Sequence, residues 1–299
     1  MHEEFQFPDG DVPPRLEDKV VIVTGAGRGI GRATAVYLGD AGASVVVNRA
    51  SDNPEVADIV EDRGGTALAH NGNVSSTEYA EALVADTVDA FGRIDGVINF
   101  AGITDDATLL KMSDEQWDRV IDVHLRGHFA LLRSVGRHWR EAAGDDGLDP
   151  QRSFVTMTSR NAFGSFGQAN YATAKAGILG LTWTAAAELK RYNVRVNALM
   201  PLAFTGMIAE IPEEHRPASW TMEEMPPEKV APVAAFLVSD AAEGINGCIV
   251  RSHGDMVGLI SEPEIYRRAY RDGGWSLESL DDRFKATLGD DLSLDRTAR

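Results

Sequence analysis

One cysteine, Cys248, stands in 299 residues. No intrachain disulfide can form, so the fold must rest on its core, and a reducing compartment such as the cytoplasm is the expected setting. Positive charge is also scarce: 29 Lys and Arg face 46 Asp and Glu, a formal net charge of −17. A nucleic-acid partner requires a concentrated basic face and is not expected. No apolar run approaches the length of a membrane span, so no membrane partner is expected. The start, Met1-His-Glu-Glu-Phe, lacks the basic segment and apolar segment of a secretory leader. No metal site is expected.

What is present is a repeated alternation of apolar runs and helical segments. Lys19-Val-Val-Ile-Val-Thr24 and Ala43-Ser-Val-Val-Val-Asn48 are continuous rather than alternating in hydrophobicity, as buried parallel strands are. Further strands are expected around 66–73, 96–102, 153–159, 194–200 and 248–252, with helices over 32–38, 54–63, 76–91, 113–143, 168–192 and 228–238. Strict βα alternation without internal repeats predicts an α/β fold: one Rossmann-type doubly wound parallel sheet of about seven strands with helices on both faces. The expected organisation is an N-terminal arm over 1–17, outside the core, a single domain over 18–260 and a charged extension over 261–299. Residues 144–150 read as an acidic turn and 290–299 as a disordered end. Residues 202–227, rich in Pro and Met, read as a substrate lid or as a packed surface excursion.

Thr24-Gly-Ala-Gly-Arg-Gly-Ile-Gly31 lies between the first strand and the first helix. Glycines there let the backbone approach a phosphate, and the helix start supplies free N–H groups. A glycine turn without a ligand is the plain alternative, but strand, glycines and helix in sequence favour binding. Later, Ser159 closes a strand, and after a Gly-rich loop Tyr171 and Lys175 stand four apart in an Ala-rich helix. That spacing stacks them on one helix face, so a hydroxyl, a phenol and an ammonium can converge.

Together these features resemble the short-chain dehydrogenase/reductase family over about residues 16–258. Four signatures stand in order: Thr24-Gly-x-x-x-Gly-x-Gly31, Asn99-x-Ala-Gly102, the strand-end Ser159, and Tyr171-x-x-x-Lys175. Val123-His-Leu-Arg-Gly-His-Phe129, Phe166-Gly-Gln-Ala-Asn-Tyr171 and Pro227-Glu-Lys-Val-Ala-Pro232 are similar to the 3-hydroxyacyl-CoA dehydrogenase part of multifunctional β-oxidation enzymes. The Gly-Gln-Ala-Asn-Tyr string is shared with 3-oxoacyl carrier-protein reductases.

The resemblance implies hydride transfer between a nicotinamide and an alcohol or carbonyl carbon, with Ser159, Tyr171, Lys175 and His124 as catalytic residues. Tyr171 would exchange the proton, its phenolate favoured by the Lys175 ammonium, and Ser159 would fix the substrate oxygen. The cofactor would be held by Gly25, Gly27, Arg28, Gly29, Ile30, Gly31, Arg49, Asn73, Val74, Asn99, Ala101, Gly102, Tyr171, Lys175 and Thr205. Three positions depart from the family pattern. The loop from Ser159 to Tyr171 is one residue short, which leaves Thr158 as an alternative hydroxyl. His124 replaces an asparagine, and it can hold water, titrate near neutral pH or simply pack. Leu202 replaces a glycine after Pro201. Arg49 stands at or beside the acidic position that ends the second strand in NAD users. With Arg28 it points to NADP, with NAD as the alternative. The expected substrate is a small molecule, either a 3-hydroxyacyl/3-oxoacyl thioester or a steroid or other secondary alcohol. Arg160 either meets an anionic substrate group or faces solvent. A non-catalytic nucleotide-binding scaffold is a further reading. The family implies a homotetramer or homodimer.

Overall fold

The computed structural model of the protein describes residues 6–8, 15–50, 55–143, 150–209, 213–265 and 267–289. The acidic turn over 144–150 (Pro150 apart), the segment 290–299, Pro13, Pro14, Pro54, Pro212 and Tyr266 lie outside the described residues. The chain forms two compact units, Met1–Ile260 and Ser261–Arg299.

The first unit runs β1 (Val20–Thr24), α1 (Gly29–Asp40), β2 (Ser44–Arg49), α2 (Glu55–Asp62), β3 (Thr66–Asn71), α3 (Thr77–Phe91) and β4 (Gly96–Asn99). It continues with α4 (Asp114–Ile121), α5 (Gly127–Ala142), β5 (Arg152–Met157), α6 (Ala169–Leu189), β6 (Val194–Leu202), α7 (Gly206–Ala209), α8 (Ala231–Val238), β7 (Ile249–His253) and β8 (Met256–Ile260). The strands form one sheet in the order β3-β2-β1-β4-β5-β6-β7-β8, parallel throughout except for β8.

Strand periodicity divides the core into two layers. Val21, Val23, Val45, Val47, Ile98, Val155 and Leu199 face a cluster with Leu38 of α1 and Ala234 and Leu237 of α8. Their neighbours Ile22, Val46, Val97, Phe154 and Val196 face the opposite cluster, with Leu83 of α3, Leu131, Val135 and Trp139 of α5, and Ala185 of α6.

The expected seven strands are corrected to eight. β7 extends to His253, and Gly254 adopts φ +53. With Asp255 it makes a two-residue reversal, which pairs His253 with Met256 and Ile249 with Ile260. The N-terminal arm also contributes to the core. Phe7 packs edge-on against Tyr37 at 4.8 Å, and Leu16 is buried in the α1 and α8 layer. The 202–227 segment is pinned at both ends, since Phe204 N donates to Met225 O at 2.6 Å and Met225 is buried. Residues 217–219 and 221–224 between them are exposed.

In the second unit, α9 (Leu277–Leu288) is closed by a hydrogen bond from Arg267 to Leu288 O.

Candidate active site

Strand order reverses at β1, which pairs with β2 on one side and β4 on the other. In open parallel sheets the ligand crevice lies at the carboxyl ends of such strands. The first two glycine-bearing motifs meet there. Gly25 has φ +62, and a Cβ on it would lie 2.6 Å from Ala101 N, so the turns after β1 and β4 are in backbone contact. A Cβ on Gly31 would lie 2.4 Å from Gly25 O, which brings α1 directly onto the turn. That helix starts at Gly29, three residues before the expected Arg32. Arg28, its N-cap, supplies no side-chain hydrogen bond, so the usual cap signal is missing.

Below this cradle, Thr24 Oγ1 donates to Asn99 Oδ1 at 2.5 Å and accepts from Ala101 N at 3.3 Å. The buried Asn99 Nδ2 has no partner among the described residues. The Arg49 side chain lies across Gly27, with Nε 3.3 Å from where a Cβ would be, and Arg28 is exposed and reaches towards Gly206. Thr205 stands over Gly29, its Cγ2 3.2 Å from the corresponding Cβ position. Ile30 packs beneath the turn against the α1 layer. Asn73 Oδ1 is taken by Ser75 N and Oγ at 3.0 and 2.9 Å, and Val74 is buried against Gly127. A cradle with no room for side chains, an unpartnered buried amide and a cation across the turn fit the phosphates and polar groups of a dinucleotide.

Tyr171 and Lys175 lie on the first turns of α6, and the Lys175 Nζ is 5.4 Å from the Tyr171 ring centre. Ser159 Oγ hydrogen-bonds the Tyr171 phenol and accepts from Asn161 N at 3.2 Å. Thr158 is turned away: it is buried, and its hydroxyl donates to Lys175 O at 3.0 Å. The structure therefore brings Ser159, not Thr158, to Tyr171 despite the shortened loop. Burial pushes the Tyr171 phenol up, the Ser159 hydrogen bond pulls it down, and Asp106 adds to the rise. Burial also pushes the Lys175 ammonium down to about 7. Its fixed partner is Met157 O at 2.8 Å.

His124 lies in a widened turn, Asp122–Arg126, between α4 and α5, where Gly127 N reaches Asp122 O. Its ring stands edge-on to Tyr171 at 5.1 Å, and Gly102 makes room for it, since a Cβ there would lie 2.4 Å from His124 Cε1. Nε2 is 2.7 Å from Ile103 O and 3.1 Å from Ile103 N. The shorter contact makes Nε2–H the donor. Titration near neutral pH is corrected: burial first, then the Lys175 charge, hold His124 well below 6.5.

Several supporting residues were not among the sequence candidates. Asn170 is fully buried and donates to Asp105 O and Gln116 O at 2.9 and 3.0 Å, while its Oδ1 accepts from Tyr171 N at 2.7 Å. It fastens the start of α6 to the loop after β4. Gln168 bridges Asp106 and Asn161, at 2.7 and 2.6 Å. The one available signal was their presence in the quoted strings around His124 and Tyr171.

Residues 25–254 match the sequence family described as enoyl-(acyl carrier protein) reductase. A hydroxyacyl-CoA dehydrogenase of Mycobacterium tuberculosis is 41% identical over 289 residues, covering 92% of this chain and 89% of its own. The chain belongs to the short-chain dehydrogenase/reductase family. As a member it is an oxidoreductase of CH–OH groups with a nicotinamide cofactor. Peroxisomal multifunctional enzyme type 2 of Mus musculus is 37% identical over 79% of this chain, which spans 32% of that enzyme. A crystal structure of a short chain dehydrogenase from Mycobacterium avium superposes with a TM-score of 0.82 at 33% identity, covering 92% of this chain and 95% of the other.

The buried ammonium has a measurable consequence. The unfolded chain binds more protons than the folded one between pH about 7 and 10.5, so this group's destabilisation is full below pH 7 and is relieved as pH rises through that window. Lys175→Met is expected to stabilise the nucleotide-free protein by on the order of 2 kcal/mol near pH 6, with the gain shrinking towards pH 10. Urea unfolding of both proteins across that range checks it.

Proposed function

We propose that the protein transfers a hydride between NADP(H) and C3 of a 3-hydroxyacyl/3-oxoacyl thioester. The observation that carries this reading is the meeting of Ser159, Tyr171 and Lys175 beside the glycine cradle. The cofactor supplies or accepts the hydride. The chain's residues handle the proton and the oxygen. Tyr171 gives its phenolic proton to the developing alkoxide in reduction and takes the alcohol proton in oxidation. Ser159 donates a hydrogen bond to the same oxygen, with Asn161 N–H occupying one of its lone pairs and so orienting it. Lys175 holds the ribose hydroxyls and supplies the field that lowers the cost of phenolate.

Preference for NADP is supported by Arg49 across Gly27 and by the absence of an acid at the end of β2. Thioester substrates are supported by the name of the Mycobacterium tuberculosis relative. Arg160 and Arg251 add to this. Arg160 is exposed and follows Ser159 in the chain, and its charge is felt by Arg251 on β7, whose pKa is lowered first by burial and then by Arg160. The two cations suit an anionic group of the substrate. A homotetramer or homodimer in the cytoplasm completes the reading, supported by exposed apolar side chains before α4 and on α5, Leu110 and Phe129, and by the lone cysteine. None of the described helices is long and apolar enough to cross a membrane.

The test is turnover on matched 3-oxoacyl-CoA, 3-oxoacyl carrier-protein and steroid ketone substrates. The thioesters are expected to be reduced with NADPH; reduction of the steroid alone would overturn the thioester assignment. Arg160→Ala is expected to raise KM for the acyl-CoA by about tenfold with little change in kcat, since a lost charge-assisted hydrogen bond is worth about 1.5–3 kcal/mol.

A further inference from the structure

We propose that His128 is a positioning residue for this reaction: one imidazole bridges the strand end that anchors Lys175 and the helix turn that carries His124. This rests on the reading of Tyr171 and Lys175 as the proton-handling pair.

The need for such a bridge comes from the sheet. β5 pairs with β6 as far as Met157, and Thr158 N donates to Leu199 O at 2.9 Å. On its other edge the pairing with β4 ends at Val155, because β4 stops at Asn99. The N–H and C=O of Met157 on that edge therefore have no strand to meet, and buried backbone groups must be paired. Two side chains take the place of the missing strand. His128 Nε2 accepts from Met157 N at 3.0 Å, and Lys175 Nζ donates to Met157 O at 2.8 Å. His128 thus fixes the residue whose carbonyl fixes Lys175.

Its other nitrogen acts on the opposite wall. Nδ1 lies 2.6 Å from His124 O, inside the widened turn. With Nε2 accepting, the ring proton belongs on Nδ1, which donates to that carbonyl. The ring is fully buried, and burial followed by the Lys175 charge lowers its pKa to about 3, so it stays a neutral, oriented dipole. The turn it holds places His124 against both Gly102 and Tyr171. One side chain thereby sets the spacing between the Lys175 anchor and the wall beside Tyr171.

The experiment compares His128→Phe, which keeps the ring volume without either hydrogen bond, with His128→Gln, whose amide offers one donor and one acceptor. In the Phe variant kcat is expected to fall about 10²-fold while KM for the nucleotide stays within about threefold, as for a misplaced catalytic group. Gln is expected to restore kcat to within about fivefold of wild type. Wild-type kcat in a folded Phe variant, or Gln no better than Phe, would overturn the proposal. If the Phe variant does not fold, His128→Asn, which reaches His124 O but not Met157 N, is expected to show the same loss, and normal kcat there would overturn it. Nitrogen NMR of wild type against the Gln variant gives a readout free of turnover: a pH-insensitive, Nδ1-protonated His128 supports the bridge, and an Nε2-protonated ring contradicts it. Absence of wild-type turnover with either nucleotide would overturn the hydride-transfer reading, while the spectrum would still decide the bridge.

Discussion

Tyr171→Phe is expected to reduce turnover by about 10³-fold, with nucleotide affinity within about threefold of wild type, because it removes a general acid/base without removing a binding surface. The phenylalanine ring keeps the edge contact with His124 and the place beneath Lys175, so the fold has no reason to change. Only the hydroxyl bonded to Ser159 is lost. Isothermal titration with NADPH beside steady-state kinetics separates the two effects. A scaffold would keep its role in this variant, and an enzyme would not. The direction of catalysis adds a pH signature. Burial raises the phenol, so the protonated form needed for reduction persists into mild alkali, and oxidation, which needs phenolate, gains rate as pH rises.

Arg49→Asp is expected to reverse the coenzyme preference, lowering kcat/KM with NADPH by about 10²-fold and raising it with NADH. The side chain lies across Gly27 at the end of β2. In the proposed NADP reading, removing it takes away a charge-assisted hydrogen bond to the 2′-phosphate. The new carboxylate repels that phosphate and accepts from the ribose hydroxyls of NADH. The ratio of kcat/KM for the two nucleotides is the readout. An unchanged ratio would move the 2′-phosphate contact to Arg28, which reaches towards Gly206 instead.

Much of this site was legible because its determinants are local. Gly25 and Gly31 announce a turn in which a Cβ has no room. Tyr171 and Lys175 share a helix face by spacing alone. The parallel sheet followed from the unbroken apolar strands. What escaped depends on contacts between distant segments. His128 and Asn170 look like ordinary polar helix residues until β5 outruns β4 and the loop after β4 meets α6. The residue type alone leaves His124 free to hold water, titrate or pack, and only the enclosure by Gly102 and Ile103 takes titration away. The expected start of α1 falls three residues late because Arg28 gives no cap signal. β8 was missed because Gly254 reads equally well as a chain exit and as the hairpin turn that pairs Met256–Ile260 with β7.

In the proposed reaction Tyr171 and Lys175 serve a hydride transfer to the 3-position of an acyl thioester. Incubation of the protein with NADPH deuterated at C4 and a 3-oxoacyl-CoA, followed by mass spectrometry of the product, tests it directly. The expected product is a 3-hydroxyacyl-CoA carrying one deuterium at C3 from one face of the nicotinamide, formed by wild type and not by Tyr171→Phe. Bound nucleotide with no deuterium in the thioester, or equal labelling by the Phe variant, would contradict this role of Tyr171.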